Sequence, residues 1–74
     1  MDLASMTYSS RVRLVKRLEM IRELGHSLNN VTLAAGRAVR EGVESVANET
    51  LADIIGRVAE MNRLAQTIAR ELQN

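Results

Sequence analysis

The stretch Leu14–Val31, LVKRLEMIRELGHSLNNV, decides the fold because its apolar residues recur at steps of three and four. This spacing places the apolar side chains along one side of an α-helix. The same spacing continues beyond the stretch, and it predicts one helix over about residues 9–46. The apolar stripe of this first predicted helix consists of Leu14, Leu18, Ile21, Leu24, Leu28, Val31, Ala35, Val39, Val43 and Val46.

A second apolar stripe lies within residues 51–72, LADIIGRVAEMNRLAQTIAREL, and it predicts a second helix over about residues 50–73. Between the stripes, Asn48 is a poor helix former, and Thr50 and Asp53 have the three-residue spacing of a capping box. We therefore expect a turn at about residues 46–50. The second stripe consists of Leu51, Ile54, Val58, Met61, Ala65, Ile68 and Leu72.

The chain before the first stripe has no clear period. We expect residues 1–8 to form a flexible N-terminus, with Ser9 or Ser10 as the N-cap of the first helix.

A three-helix arrangement is also open, because Asn29 and Asn30 are poor helix formers and Thr32 could cap a further helix. The stripe keeps its phase across these residues, which a break would not require. We therefore expect two helices.

The composition supports an all-α fold in one small domain. The 74-residue chain contains no proline and no cysteine, and Tyr8 is its single aromatic residue. Ten basic and nine acidic residues are interspersed along the chain and give a net charge of +1, unlike a surface for nucleic acid or anionic lipid. No apolar run approaches the roughly 20 residues that cross a bilayer. We expect a soluble, cytoplasmic protein with no nucleic-acid partner and no membrane insertion.

Association with a second copy is expected from the length of the chain. A chain this short buries a marginal core, and a pair of helices leaves much of each apolar stripe in water. Two hairpins that pack together bury these stripes in a common core. The sequence therefore predicts a two-helix antiparallel hairpin that forms a homodimeric four-helix bundle.

His26 is the only histidine, and it lies on the polar side of the first predicted helix. It stands about 160° from the centre of the stripe at about 100° per residue. Arg22, Asn30 and Arg37 lie on the same side, where the two arginines could attract a phosphoryl donor. One histidine without cysteine is too few for a metal site, so we expect no metal and no cofactor. Two interpretations of His26 are open: an ordinary surface residue, or a reactive group.

Two phrases of the sequence resemble the dimerisation and histidine-phosphotransfer domain of two-component sensor histidine kinases. The first is GHSLNN, Gly25–Asn30, and the second is MNRL, Met61–Leu64. In that family, an exposed histidine on the first helix of a hairpin is followed by an acidic residue, leucine, arginine or asparagine, threonine or asparagine, proline and leucine. The resemblance covers about residues 11–73, and the matching positions are His26, Leu28, Asn29, Asn30, Met61, Asn62, Arg63 and Leu64.

The resemblance implies that His26 accepts a phosphoryl group and that Asn30 orients water for dephosphorylation of the partner. It also implies two partners besides a second copy, namely a kinase ATP-binding domain and a response-regulator receiver domain. The chain has no glycine-rich phosphate loop, so it is expected to be at most the phosphoacceptor part of a kinase.

Two positions depart from the family pattern. Ser27 stands where an acidic residue activates the histidine, and Val31 stands where a proline bends the helix. Because a serine hydroxyl does not act as a base at neutral pH, we expect phosphorylation of His26 to be slow.

A second hypothesis involves no chemistry. A small helical adaptor or a secretion-type chaperone would use its apolar stripe to cover a helix of a partner protein. Both hypotheses predict helices and association, but only phosphotransfer requires His26.

Overall fold

The computed structural model of the chain describes residues 3–73, which form an antiparallel helical hairpin. A short 3-10 turn, Leu3–Ser5, precedes helix α1, Tyr8–Glu41, and helix α2 follows as Glu44–Gln73. No β-strand occurs within residues 3–73, so the predicted all-α hairpin is confirmed. Neither helix contains a segment long and apolar enough to cross a membrane within this part of the chain.

The N-cap of helix α1 lies two or three residues before the predicted positions. Thr7 is the N-cap, and its side-chain oxygen accepts a hydrogen bond from the Ser10 backbone N–H at 3.1 Å. The Thr7 hydroxyl also donates to the Ser10 hydroxyl oxygen at 2.9 Å. A hydroxyl before the first turn satisfies a backbone N–H that has no partner inside the helix. The expected cap at Ser9 or Ser10 is therefore wrong. Within the segment expected to be a flexible N-terminus, Leu3–Ser5 form a 3-10 turn, and residues 1 and 2 lie outside the described range.

The turn of the hairpin lies at residues 42–43, before the predicted position of 46–50. Gly42 adopts a left-handed conformation with φ 71° and ψ 26°, and the Val43 N–H donates to the Ala38 carbonyl at 2.9 Å. Glycine enters this conformation without the steric cost that a side chain imposes, which ends helix α1. The prediction was wrong because Thr50 does not cap a helix. Its hydroxyl donates to the Val46 and Ala47 carbonyls inside α2.

Helix α1 is continuous through Asn29 and Asn30, so the three-helix alternative is wrong. The Thr32 hydroxyl donates to the Leu28 carbonyl at 2.7 Å, one turn earlier, instead of capping a new helix. A threonine hydroxyl that bonds back in this way leaves the backbone ladder intact.

The two helices contact each other along residues that repeat every seven positions, which we call the contact line. Two long helices keep such a line in register by wrapping around each other, since 3.6 residues per turn is close to 3.5. In α1 the contact line is Leu14, Arg17, Ile21, Leu24, Leu28, Val31, Ala35 and Ala38. In α2 it is Ala47, Thr50, Ile54, Arg57, Met61, Leu64, Ile68 and Glu71.

The core along this line is thin. Within residues 3–73 the buried apolar residues are Leu14, Ala35, Ala38, Leu64 and Ile68, and no side chain is fully enclosed. The predicted stripes are wider than the contact line, and the part outside it is exposed on the flank of the hairpin, as expected for one helix pair without a second copy. The exposed part includes Leu18, Val39, Leu51 and Val58, which are 53%, 68%, 49% and 48% exposed.

Candidate functional site

His26 lies on the ridge of α1 that is farthest from α2. Its position on the helix is roughly 180° from the contact line at about 100° per residue, and its side chain is exposed. The same ridge carries Glu19, Leu33 and Arg40 at seven-residue intervals, all of them exposed. Within residues 3–73, the side chain of His26 makes no hydrogen bond and no ion pair. The imidazole is therefore available to a molecule that approaches from outside the hairpin.

Of the side chains predicted to lie near His26, Arg22 and Asn30 are the nearest, and they stand one helical turn before and after it, on either side of the ridge. Four residues of helix correspond to about 6 Å along the axis, so both exposed side chains can reach a group bound to the imidazole. Arg37 stands eleven positions away, which is about 16 Å. Arg22 and Asn30 therefore lie within side-chain reach of a group on His26, whereas Arg37 lies about three helical turns away and its predicted contribution stays a prediction.

Ser27 faces a side of α1 different from that of His26. It is half-buried and lines a shallow groove with Met20, Glu23, Arg57 and Glu60. No carboxylate contacts the imidazole within the described residues, so His26 has no base that would take up a proton during attack on a donor.

One side of the hairpin, which we call the neutral face, has Arg22 as its only charged member over residues 15–39 and 48–72. Arg11 and Glu44 continue the same side at its two ends. In an antiparallel helix pair, equivalent heptad positions of the two helices lie on the same side of the pair. A groove beside the turn, lined by Val39 of α1 and Glu44 of α2, is consistent with this. Most side chains of the neutral face are exposed, including Ile55 at 69%. The neutral face consists of Val15, Leu18, Arg22, Gly25, Asn29, Thr32, Gly36 and Val39 of α1 and Asn48, Leu51, Ile55, Val58, Asn62, Ala65, Ala69 and Leu72 of α2.

The opposite side, which we call the charged face, carries acidic and basic residues from both helices. Two shallow grooves join the helices on this side, one between Ser27 and Glu60 and one between Ala34 and Val46. The contrast with the neutral face shows that the surface of the hairpin is not uniformly solvated. The charged members of this face are Arg13, Lys16, Glu23, Arg37, Glu41, Glu49, Asp53, Glu60, Arg63 and Arg70.

An ion pair on the charged face joins Glu60 to Arg63, one turn apart on α2. The Arg63 Nε donates to Glu60 Oε2 at 3.0 Å, and a second hydrogen bond joins Arg63 Nη2 to Glu60 Oε1. The hydrogen bond from Arg63 lowers the pKa of the Glu60 carboxyl, and the same bond raises the pKa of Arg63.

Polar residues in the contact line were missed by the sequence reasoning. Arg17 of α1 forms an ion pair with Glu71 of α2, and the buried Nε of Arg57 makes no hydrogen bond. The contact line advances by alternating steps of three and four residues. Arg17 stands three residues after Leu14, and Arg57 stands three residues after Ile54, so both positions follow from this spacing. Counting only apolar residues excluded them.

No group of three or more His, Cys, Asp or Glu side chains within residues 3–73 is arranged to hold a metal ion. Comparison with family models, with curated proteins and with solved structures finds no match to this chain.

Proposed function

We propose that this chain is a homodimeric histidine-phosphotransfer hairpin, in which His26 takes a phosphoryl group from a donor and passes it to an aspartate of a receiver domain. The observation that supports the proposal is the position of the His26 side chain, which is exposed, makes no hydrogen bond and lies on the ridge farthest from α2. The GHSLNN and MNRL phrases that resemble histidine kinases agree with it.

In the first step a ring nitrogen of neutral His26 attacks the phosphorus of the donor. The phosphorus–oxygen bond to the leaving group breaks, and the leaving group keeps the electron pair. When the donor is ATP held by a separate kinase domain, that leaving group is ADP. The imidazole proton goes to water, since no carboxylate contacts His26.

In the second step a carboxylate oxygen of the receiver aspartate attacks the same phosphorus atom. The phosphorus–nitrogen bond breaks, and the imidazole regains a proton from water. Arg22 stabilises the charge on the phosphoryl group in both steps by hydrogen bonding to its oxygens. Asn30 orients water on the other side of His26, as the resemblance implies.

The lack of a base beside His26 affects the two donors differently. An acyl phosphate on a receiver aspartate has a better leaving group than ATP, so transfer from a phosphorylated receiver depends less on a base. We therefore propose that exchange with a receiver is faster than phosphorylation by ATP. The proposal implies a cytoplasmic location, where ATP and receiver domains are available.

Self-association is part of the proposal, and the exposed area supports it. The hairpin exposes 5497 Å², with extents of 54 × 16 × 13 Å. A compact monomer of 8.2 kDa exposes roughly 4,500 Å². The surplus of about 1,000 Å² is close to the roughly 800 Å² that each partner buries in a stable interface.

Phosphoryl transfer tests the chemistry. Potassium phosphoramidate phosphorylates accessible histidines, so the wild-type chain should gain one acid-labile phosphate and His26→Gln should gain none. The phosphorylated chain is then mixed with the receiver domains of the source organism. The proposal predicts that one receiver removes the label from His26 within minutes. A phosphoryl group that stays on His26 with every receiver contradicts the proposal.

A second candidate function is an adaptor that covers a helix of a partner protein. The exposed Leu18, Leu51 and Val58 on the neutral face favour it, because such a surface fits an amphipathic helix. An adaptor with a free neutral face is a monomer in solution, and sedimentation equilibrium at micromolar concentration distinguishes it from a homodimer.

A further inference from the structure

The two ends of the hairpin differ in charge. The end that contains the helix termini, residues 8–25 and 62–73, has seven basic and three acidic residues and a net charge of +4. The end that contains the turn, residues 26–61, has three basic and five acidic residues and a net charge of −2. Two copies whose turns lie at the same end bring like charges together, and two copies in opposite directions bring unlike charges together.

We propose that two copies of the hairpin associate through their neutral faces in opposite directions, with α1 of one copy antiparallel to α1 of the other. The proposal rests on the self-association in the proposed function, and it is independent of the chemistry of His26. The occupant of the neutral face is thus a second copy of this chain.

The outer ridge of α1 supports this direction. The neutral face of α1 extends from Leu18 to Val39 and is centred near Asn29. A twofold axis at that centre places Glu19 opposite the partner's Arg40, and by symmetry Arg40 opposite the partner's Glu19. In the other direction α1 lies against α2 of the partner, where the ridge positions are Ala52, Ala59 and Gln66. Only the opposed direction therefore pairs these two charges.

The sizes of the side chains on the neutral face agree with the opposed direction. Gly25 then lies opposite the partner's Thr32, so that the larger group fills the space beside the smaller one. Protein cores pack at nearly uniform density, and this complementarity supports the opposed direction.

Arg22, the charged member of the neutral face, is accommodated by the same arrangement. It lies opposite the partner's Gly36, where no side chain blocks the aliphatic stem and the guanidinium reaches water. Both copies of His26 then lie on the side of the dimer where the two α1 helices meet, each beside the partner's Leu33. In the other direction the two histidines lie on opposite sides of the bundle.

Cysteine cross-linking distinguishes the two directions, since the chain has no cysteine of its own. Asn29 of α1 and Ile55 of α2 are exposed on the neutral face, at nearly the same height along the hairpin and close to the proposed twofold axis. With a short bis-maleimide, Asn29→Cys alone should form covalent dimers, and Ile55→Cys alone should do the same. A mixture of the two variants, distinguished by a mass tag, should form no cross-link between unlike copies.

Cross-links that appear only between unlike copies in the mixture overturn the opposed direction and leave self-association intact. A dimer by sedimentation that cross-links in neither experiment overturns the neutral face as the interface. A monomer at every concentration overturns both this proposal and the self-association in the proposed function, while the phosphoramidate experiment on His26 is unaffected.

Charge reversal provides a second measurement on the same proposal. Arg40→Glu places like charges opposite each other at two symmetric positions, and it should raise the dimer dissociation constant about 10-fold. The double variant Glu19→Arg/Arg40→Glu should return it to within about 3-fold of wild type. Arg37→Glu, on the charged face, is the matched control and should leave it unchanged. A double variant that dimerises no better than Arg40→Glu overturns the Glu19–Arg40 pairing.

Discussion

Arg17 of α1 and Glu71 of α2 form an ion pair across the contact line, although 54 residues separate them in the chain. Both side chains are largely shielded from water, with 27% and 28% of their area exposed. The pair lies beside the buried Leu14, near the ends of the two helices. It therefore joins the ends of the hairpin that the turn does not connect.

Removal of this ion pair should destabilise the hairpin. Arg17→Met leaves Glu71 without its partner in a half-buried position, and it should lower the free energy of unfolding by about 1 kcal/mol. A double-mutant cycle with Glu71→Gln, measured by urea denaturation, isolates the interaction. A coupling energy of zero would show that the two side chains contribute to stability independently.

Substitution of Gly42 should also destabilise the hairpin, because its φ of 71° is unfavourable for a residue with a side chain. Gly42→Ala should lower the free energy of unfolding by about 1 kcal/mol. Gly56 is the matched control, since it lies inside α2 with no atom near an added Cβ. Gly56→Ala should raise stability by up to about 1 kcal/mol. Two variants with the same thermal midpoint would contradict the role of Gly42 as the helix C-cap.

Truncation in the thin core should have a large effect. Leu64 is 4% exposed, and Leu64→Ala should lower the free energy of unfolding by about 3 kcal/mol. Met20 is 47% exposed on the charged face, and Met20→Ala should change it by less than about 1 kcal/mol. Circular dichroism during urea denaturation measures both. Equal losses in the two variants would show that the contact line is misassigned.

The Glu60–Arg63 pair predicts a dependence on pH. The hydrogen bond from Arg63 lowers the pKa of Glu60, so the folded chain binds fewer protons than the unfolded chain at acidic pH. The stabilisation is present above the ordinary pKa of a glutamate and is lost as the pH falls through the lowered pKa. Arg63→Gln should raise the pKa of Glu60 toward its ordinary value in a carbon-13 NMR titration of the carboxyl group. Arg70→Gln is the control and should leave the Glu60 titration unchanged; a Glu60 pKa that is the same with and without Arg63 would contradict the pairing.

The helical class and the exposure of His26 could be predicted from the sequence, because both depend on spacing within one helix. The position of the turn could not. Asn48, Thr50 and Asp53 have the residue types of a helix boundary, whereas Gly42 is one of several glycines, and only the backbone hydrogen bonds around it reveal the cap. Local propensities of this size are outweighed by packing between the helices.

The division of the apolar residues between two surfaces also could not be predicted. Leu18 and Leu51 have the spacing of a core, but the contact line passes through Arg17 and Thr50 instead. Apolar residues at steps of three and four fit more than one line on a helix, and the choice depends on the other helix. The neutral face therefore became visible only when the two helices were seen together.

The seven-residue contact line has a consequence for the direction in which His26 points. No side-chain hydrogen bond or ion pair holds the imidazole. The direction in which it points from the hairpin therefore depends only on the number of residues between His26 and its neighbours in the contact line, Leu24 and Leu28. One residue inserted just before His26 would shift the helical phase by about 100° between the preceding and following segments of α1. His26 would then keep its chemistry but lose its angular relation to one half of the contact line. The reactive direction of this protein is thus encoded by residue count.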